Sequence, residues 1–133
     1  MNLRTFKHKT DNRVWQAKDL PASAALRLAP QAVKLLSEEV FGFFGQHGIT
    51  GLQEMKADVI FAVAQIIAKN VKGDELTDFI VDFFRSTDLR IIEQNGQDAD
   101  ILVADHFDEV FSRNLKEMFL LLFWLIKELF TGA

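Results

Sequence analysis

The chain contains no cysteine and no tyrosine among its 133 residues, and only two prolines. Without cysteine, a disulfide framework, a thiolate metal site and a thiol nucleophile are all excluded, and the composition fits a reducing cytosol. Thirteen phenylalanines stand beside two tryptophans, so the aromatic side chains carry no hydroxyl for acid–base chemistry. We therefore expect these rings to serve packing.

Long apolar runs are also missing. A transmembrane helix needs about 20 consecutive apolar residues, and the run from Met118 to Ile126 is roughly half that length, with charged residues at both ends. The N-terminal stretch lacks the apolar core of a signal peptide. We therefore expect a cytoplasmic protein with no membrane segment, and a buried helix where the sequence is most hydrophobic.

The length and a 49% apolar composition predict one domain with a substantial core. The expected fold class is mainly α: a single-domain helical bundle of about five helices with one or two small β-hairpins. The expected organisation within residues 1–133 is a basic N-terminal arm or hairpin (1–20), helices (21–86), a possible hairpin (88–104) and a C-terminal hydrophobic helix region (105–130).

Helix boundaries follow from local signals. Pro21 suits the first turn of a short helix, and Pro30 is expected to end that helix and begin another that reaches about His47. The capping-box pattern from Thr50 to Gln53 predicts a helix that continues to about Val71. Asp74 then begins the cleanest amphipathic segment, with Leu76, Phe79, Ile80, Phe83 and Phe84 at helical spacing.

Two short hairpins are predicted from different signals. Residues 3–7 and 13–18 alternate weakly around a polar turn at residues 9–12. Residues 89–93 and 101–103 are β-branched segments on either side of Asn95-Gly96, a pair that favours a tight turn with positive φ. We expect each pair of segments to form a small hairpin.

Charge is distributed unevenly. Residues 1–34 carry seven Lys/Arg against two Asp, whereas residues 35–133 carry eight against seventeen acidic residues. A basic arm can bind nucleic acid, but its charges come singly, at Arg4, Lys7, Lys9, Arg13 and Lys18. We expect the arm to contact the chain's own acidic surface. The alternative is a small cytoplasmic helical regulator or adaptor whose basic N-terminal arm contacts nucleic acid or a partner protein.

Catalytic and metal-binding patterns are weak. Asp105, His106, Asp108 and Glu109 could hold a divalent metal in a hydrolase, but no second histidine lies at ligand spacing. The segment from Asn95 to Asp100 differs from a calcium loop because its glycine precedes the acidic residues. A glycine-rich phosphate loop and a nucleophile elbow are both missing. We expect no enzyme activity, no cofactor and no metal.

The segment from Leu115 to Phe130 predicts a helix whose apolar residues occupy more of its circumference than in an ordinary amphipathic helix. Leu120, Leu121 and Trp124 fall on the arc that also holds its charged residues. Either the domain covers this helix on both sides, or the arc forms an exposed patch for another protein or for a second copy of the chain. We assign the predicted partner-binding surface to Leu120, Leu121, Phe123, Trp124 and Phe130.

Two stretches carry a resemblance to a known family. Residues 18–30, KDLPASAALRLAP, and residues 106–119, HFDEVFSRNLKEMF, followed by an apolar helix, resemble the opening and closing patterns of tail assembly chaperones from long-tailed bacteriophages. The matching positions near the end are Phe111, Leu115, Glu117, Phe119 and Phe130. The resemblance implies a small, mostly helical, non-catalytic protein of the bacterial host cytoplasm. Such a protein would bind the apolar tape measure protein and help recruit tail tube subunits.

Overall fold

The computed structural model describes residues 4–35 and 73–130, together with Gln65 and Lys69, which are both helical. The predicted helix from Thr50 to about Val71 therefore lies outside the described residues except at those two positions. The predicted helix that reaches His47 lies outside them beyond residue 35. The architecture given below is that of the described ranges.

Both predicted hairpins form. Strand β1, Thr5–Lys9, pairs antiparallel with β2, Arg13–Lys18, and strand β3, Arg90–Gln94, pairs antiparallel with β4, Gln97–Leu102. Asn95 and Gly96 connect β3 to β4 with φ values of 54° and 79°. Positive φ at both central residues is what a type I′ hairpin turn requires, which explains the Asn-Gly pair.

The two hairpins join into one antiparallel sheet with strand order β1-β2-β3-β4. Strand β2 pairs with β3, so that Trp15 lies opposite Ile91, and the pairing continues beyond the strands through a 2.7 Å hydrogen bond from the Lys18 N–H to the Thr87 carbonyl. The fold is α+β, and the predicted mainly α helical bundle is wrong. The pairing of β2 with β3 joins residues that are far apart in sequence, and it depends on both strands being buried in the same core. The hydrophobic periodicity within one segment does not show which other segment packs beside it.

Four α-helices and one 3₁₀-helix accompany the sheet in the described ranges. They are α1 (Ala22–Leu35), α2 (Gly73–Ser86), the 3₁₀-helix (Val103–His106), α3 (Phe107–Phe111) and α4 (Leu115–Phe130). Helices α2 and α4 match the predicted segments. Their apolar side chains form one core with the inner face of the sheet, and its largest fully buried members are Trp15, Phe83, Phe84, Leu28, Ile80, Leu89, Ile91, Leu121 and Leu122. No helix in the described part of the chain is long and apolar enough to cross a membrane.

Helix α1 continues through Pro30, although the sequence predicts a break there. Proline has no N–H to give to the carbonyl four residues earlier, which here belongs to Leu26. Leu26 is 80% exposed and Pro30 is also exposed, so water can hydrate that carbonyl. The buried face of α1, with Ala24, Leu28 and Ala32, holds the helix together across the missing bond.

We expect Pro30→Ala to stabilise the protein by about 1–2 kcal/mol, because the helical hydrogen bond to Leu26 returns and outweighs the extra freedom of the unfolded chain. Urea denaturation measures this change. Gln31→Ala, at an exposed neighbouring position, is the control and should change stability by less than about 0.5 kcal/mol. A lower stability for Pro30→Ala would mean that the core needs the local geometry that proline imposes.

Candidate partner-binding surface

Most of α4 faces the core. Its buried side chains, each 6% exposed or less, are Met118, Phe119, Leu121, Leu122, Phe123, Leu125 and Ile126. Of the predicted surface residues, Leu121 and Phe123 therefore lie inside, whereas Leu120 and Trp124 are partly buried at the edge of the core. Phe130 ends the helix, and its side chain lies outside the described part of the structure. The apolar surface that remains on α4 comprises Leu115, which is 46% exposed in the first turn, and the partly buried Leu120, Trp124 and Leu129.

Asn114 determines where α4 begins. Its side-chain oxygen accepts a hydrogen bond of 3.2 Å from the backbone N–H of Glu117, and its carbonyl accepts one of 3.3 Å from Met118. An asparagine in this position satisfies a backbone donor that the helix itself leaves unpaired. Glu117 is thereby fixed in the first helical turn, where the positive end of the helix dipole favours a carboxylate.

An ion pair fastens this first turn to the sheet. The Arg13 guanidinium in β2 donates to the Glu117 carboxylate at 2.7 Å, and the two side chains are only 20% and 12% exposed. Arg13 also lies over the Trp15 ring, 5.5 Å from its centroid. Charge-assisted bonds of this length are among the stronger hydrogen bonds in proteins. The pair therefore sets the distance between α4 and the N-terminal hairpin.

An open groove separates the N-terminal hairpin from α4. It has a volume of about 650 Å³ and is lined by His8, Lys9, Thr10, Asp11, Asn114, Lys116, Glu117 and Leu120, and we refer to it as the α4 groove. The His8 imidazole stacks on the Trp124 ring with 4.9 Å between centroids. The groove thus combines apolar surface from Leu120 with charges of both signs at its border. Such a surface is suited to contact with the side chains of another protein.

The histidine in this groove has a shifted pKa. Burial of the imidazole lowers the pKa of His8 below its usual value, and the negative charge of Glu117 opposes that shift. Desolvation disfavours the charged ring because the groove supplies less hydration than bulk water. The lowered pKa favours the neutral imidazole, which suits its stacked position on Trp124.

The remaining predicted sites are dispersed. In the basic arm, Arg13 and Lys18 pair with Glu117 and Asp88 of the acidic part of the chain, as expected, whereas Arg4 pairs with Asp19 within the arm itself. Near the C-terminal helix, Asp105 pairs with Arg85 at 2.9 Å, and the His106 ring lies 3.7 Å from Glu109. Within the described ranges, no group of three or more histidine and acidic side chains could hold a metal ion.

We expect Glu117→Ala to destabilise the protein by about 1–3 kcal/mol, because Arg13 would keep its partly buried charge without an ionic partner. Urea denaturation gives the difference. Asp105→Ala breaks an ion pair whose two side chains are about half exposed, and it should cost less than about 1 kcal/mol. Equal losses of unfolding free energy in Glu117→Ala and Asp105→Ala would show that the Arg13–Glu117 pair does not fasten α4.

For His8, NMR titration should give a pKa below the reference value of about 6.5. Trp124→Ala should raise that pKa because it exposes the ring to water, and Glu117→Gln should lower it because an attractive charge is removed. Since the folded-state pKa lies below the unfolded one, this ring contributes stability that is present above about pH 6.5 and lost as the pH falls through the folded-state pKa. If Trp124→Ala and Glu117→Gln shifted the pKa of His8 in the same direction, the result would contradict the placement of His8 between Trp124 and Glu117.

Comparison with known proteins identifies the family. A family model described as "Phage tail assembly chaperone protein, TAC" matches residues 11–132, which include strands β2 to β4 and all of α4. No curated protein and no solved structure matches the chain significantly. Because the family model covers most of the sequence, the chain belongs to the phage tail assembly chaperone family.

Proposed function

We propose that this chaperone binds an apolar helical segment of the tape measure protein through Leu120, Trp124 and the adjoining α4 groove. In doing so it keeps that protein soluble in the host cytoplasm and helps recruit tail tube subunits, without catalytic turnover. The observation that supports this proposal is the partial exposure of Leu120 and Trp124 on a helix whose other apolar side chains are mostly buried.

The spacing of the exposed residues suits a helical partner. Lys116, Leu120 and Trp124 follow one another at intervals of four and so form one stripe along α4. An amphipathic partner helix typically docks through anchors at three- and four-residue spacing. Tryptophan is among the residues that contribute most to binding at protein interfaces. The stripe therefore has both the geometry and the residue type for binding an apolar helix.

The other predicted surface residues have supporting positions in this proposal. Leu121 and Phe123 lie in the core behind the stripe, with exposures of 0% and 4%, and would hold Leu120 and Trp124 in place. Phe130 stays assigned to the binding surface as a prediction. At the border of the groove, Lys9 and Asp11 provide charges of both signs, which resembles the polar rim that surrounds the apolar centre of many interfaces.

We expect Leu120→Asp and Trp124→Ala each to weaken binding of an apolar tape measure peptide at least tenfold, a loss of about 1.4 kcal/mol. The measurement is a titration of labelled peptide by fluorescence anisotropy, with far-UV circular dichroism as the test of folding. Leu26→Asp is the matched control, because Leu26 is the most exposed large apolar side chain of the described residues and lies on α1.

Two results would contradict the proposal. If Leu120→Asp and Trp124→Ala bind the peptide as tightly as the unmodified chain, the stripe is not the binding surface. If Leu26→Asp weakens binding as much as they do, the interaction depends on general surface hydrophobicity. Solubility of the tape measure protein when both proteins are expressed together provides an independent readout.

A further inference from the structure

The outer strand β1 has a neighbouring strand on one side only. It pairs with β2, and among the described residues no strand lies along its other side. An outer strand presents a row of unpaired N–H and carbonyl groups, and an extended peptide can pair with such a row. We refer to this open side of the strand as the β1 edge.

The hydrogen-bond register shows which backbone groups line the β1 edge. The Thr10 N–H donates to the Arg13 carbonyl at 2.9 Å, and the Asp19 N–H donates to the Arg4 carbonyl at 3.0 Å. Successive residues of an antiparallel strand direct these groups to opposite sides, so the even-numbered residues of β1 direct theirs towards β2. The N–H and carbonyl groups at the β1 edge therefore belong to the odd-numbered residues Thr5, Lys7 and Lys9.

The two lysines of the β1 edge have no acidic partner in the described part of the chain. The other Lys and Arg side chains described among residues 4–35 all form ion pairs, which are Arg4–Asp19, Arg13–Glu117, Lys18–Asp88 and Arg27–Asp82. Lys7 and Lys9 are exposed and form no ion pair with any described residue. Their positive charge is therefore not neutralised within the described ranges.

Lysine on an outer strand determines what can pair with it. A basic strand would place like charges directly opposite each other, and charged side chains on an edge also disfavour an apolar strand. An acidic strand instead gains opposite charges across the pair. The other outer strand, β4, carries the exposed Asp98 and Asp100 and would repel an acidic strand. The charges thus direct such a strand to β1.

The two faces of the sheet set the side-chain pattern of an added strand. Phe6 and His8 are half-buried and lie opposite the buried Ala17 and Trp15, on the face that covers the core. The lysines of the β1 edge lie on the other face, because side chains alternate along a strand. The complementary segment therefore alternates acidic residues, which face the lysines, with apolar residues beside Phe6 and His8.

We propose that the β1 edge binds an extended acidic segment of another protein, which adds to the sheet as a strand antiparallel to β1. The acidic residues of the segment lie opposite Lys7 and Lys9, and their backbone groups exchange hydrogen bonds with those of the lysines. This site goes beyond the proposed function, because it binds an extended acidic strand and not an apolar helix, and it uses the sheet and not the α4 groove.

Nucleic acid is the other polyanion that a basic strand could attract. Electrostatic binding to DNA typically uses about six to ten phosphate contacts, whereas the β1 edge offers only Lys7 and Lys9. The chain also has a net charge of −4. A row of outward-facing backbone groups matches the regular repeat of a peptide strand and not that of a phosphate backbone. These observations favour a peptide.

Fluorescence anisotropy with a short labelled peptide in which glutamate alternates with valine tests this site. We expect saturable binding that weakens with added salt. Lys7→Gln/Lys9→Gln should weaken it about tenfold, because two pairs of opposite charges are lost. Arg27→Gln/Arg85→Gln is the matched control, since it removes the same charge from exposed side chains on α1 and α2, and it should bind like the unmodified chain. Lys7→Glu/Lys9→Glu should instead bind a peptide in which lysine alternates with valine.

Methylation of the peptide backbone separates strand pairing from charge attraction. In the proposed antiparallel pairing, the glutamate N–H groups face β1 and the valine N–H groups face away. A peptide methylated at its glutamate nitrogens should therefore bind about tenfold more weakly, since it loses hydrogen bonds to β1. A peptide methylated at its valine nitrogens keeps the same charges and should bind like the unmethylated one.

Four results would overturn the proposal. They are no saturable binding of the peptide by the unmodified chain, equal binding of the two methylated peptides, tighter binding of duplex DNA that displaces the peptide, and a loss in Leu120→Ala as large as in the lysine variant. The last result would place the peptide in the α4 groove. We expect Leu120→Ala to leave binding of this peptide unchanged, so that the β1 edge and the α4 groove are tested separately.

Discussion

The pairing of β2 with β3 is the interaction on which the rest of the structure depends. It joins an N-terminal hairpin to a hairpin more than seventy residues later, and it places Trp15 opposite Ile91 at the centre of the sheet. Trp15 then stacks on Phe111 of α3, with 5.9 Å between ring centroids. Because α3 leads directly into α4, the same contact positions the C-terminal helix over the sheet.

This arrangement explains why the sequence of α4 is so apolar. The sheet and the other helices cover a broad arc of it, which accounts for the unusual number of apolar residues in its sequence. The remaining stripe adjoins β1, and the Arg13–Glu117 pair holds its first turn at a fixed distance from the hairpin. A groove between these elements is therefore a consequence of how the helix is anchored. The chain belongs to the phage tail assembly chaperone family, and the proposed function assigns this surface to contacts with another protein.

Much of the local structure is predictable from the sequence, and most of the tertiary arrangement is not. The periodicity of α2 and α4 and the Asn95-Gly96 turn correctly predict those elements, because their signals lie within a few residues. The β2–β3 pairing and the continuity of α1 at Pro30 depend on what packs against each segment. For the same reason, periodicity groups Leu121 with Leu120 and Trp124 on one arc, whereas only the packing shows that Leu121 is buried.

The contact between His8 and Trp124 shields part of the apolar stripe of α4 from water. An aromatic stacking contact is worth about 0.5–1.5 kcal/mol beyond the area it buries. Each Å² of apolar surface that a partner removes from water contributes about 25 cal/mol. An apolar partner that buries enough additional indole surface therefore displaces the imidazole with a net gain, while the ring partly covers Trp124 whenever no partner is present. A neutral His8 favours this arrangement, since a charged imidazole would resist burial beside the indole.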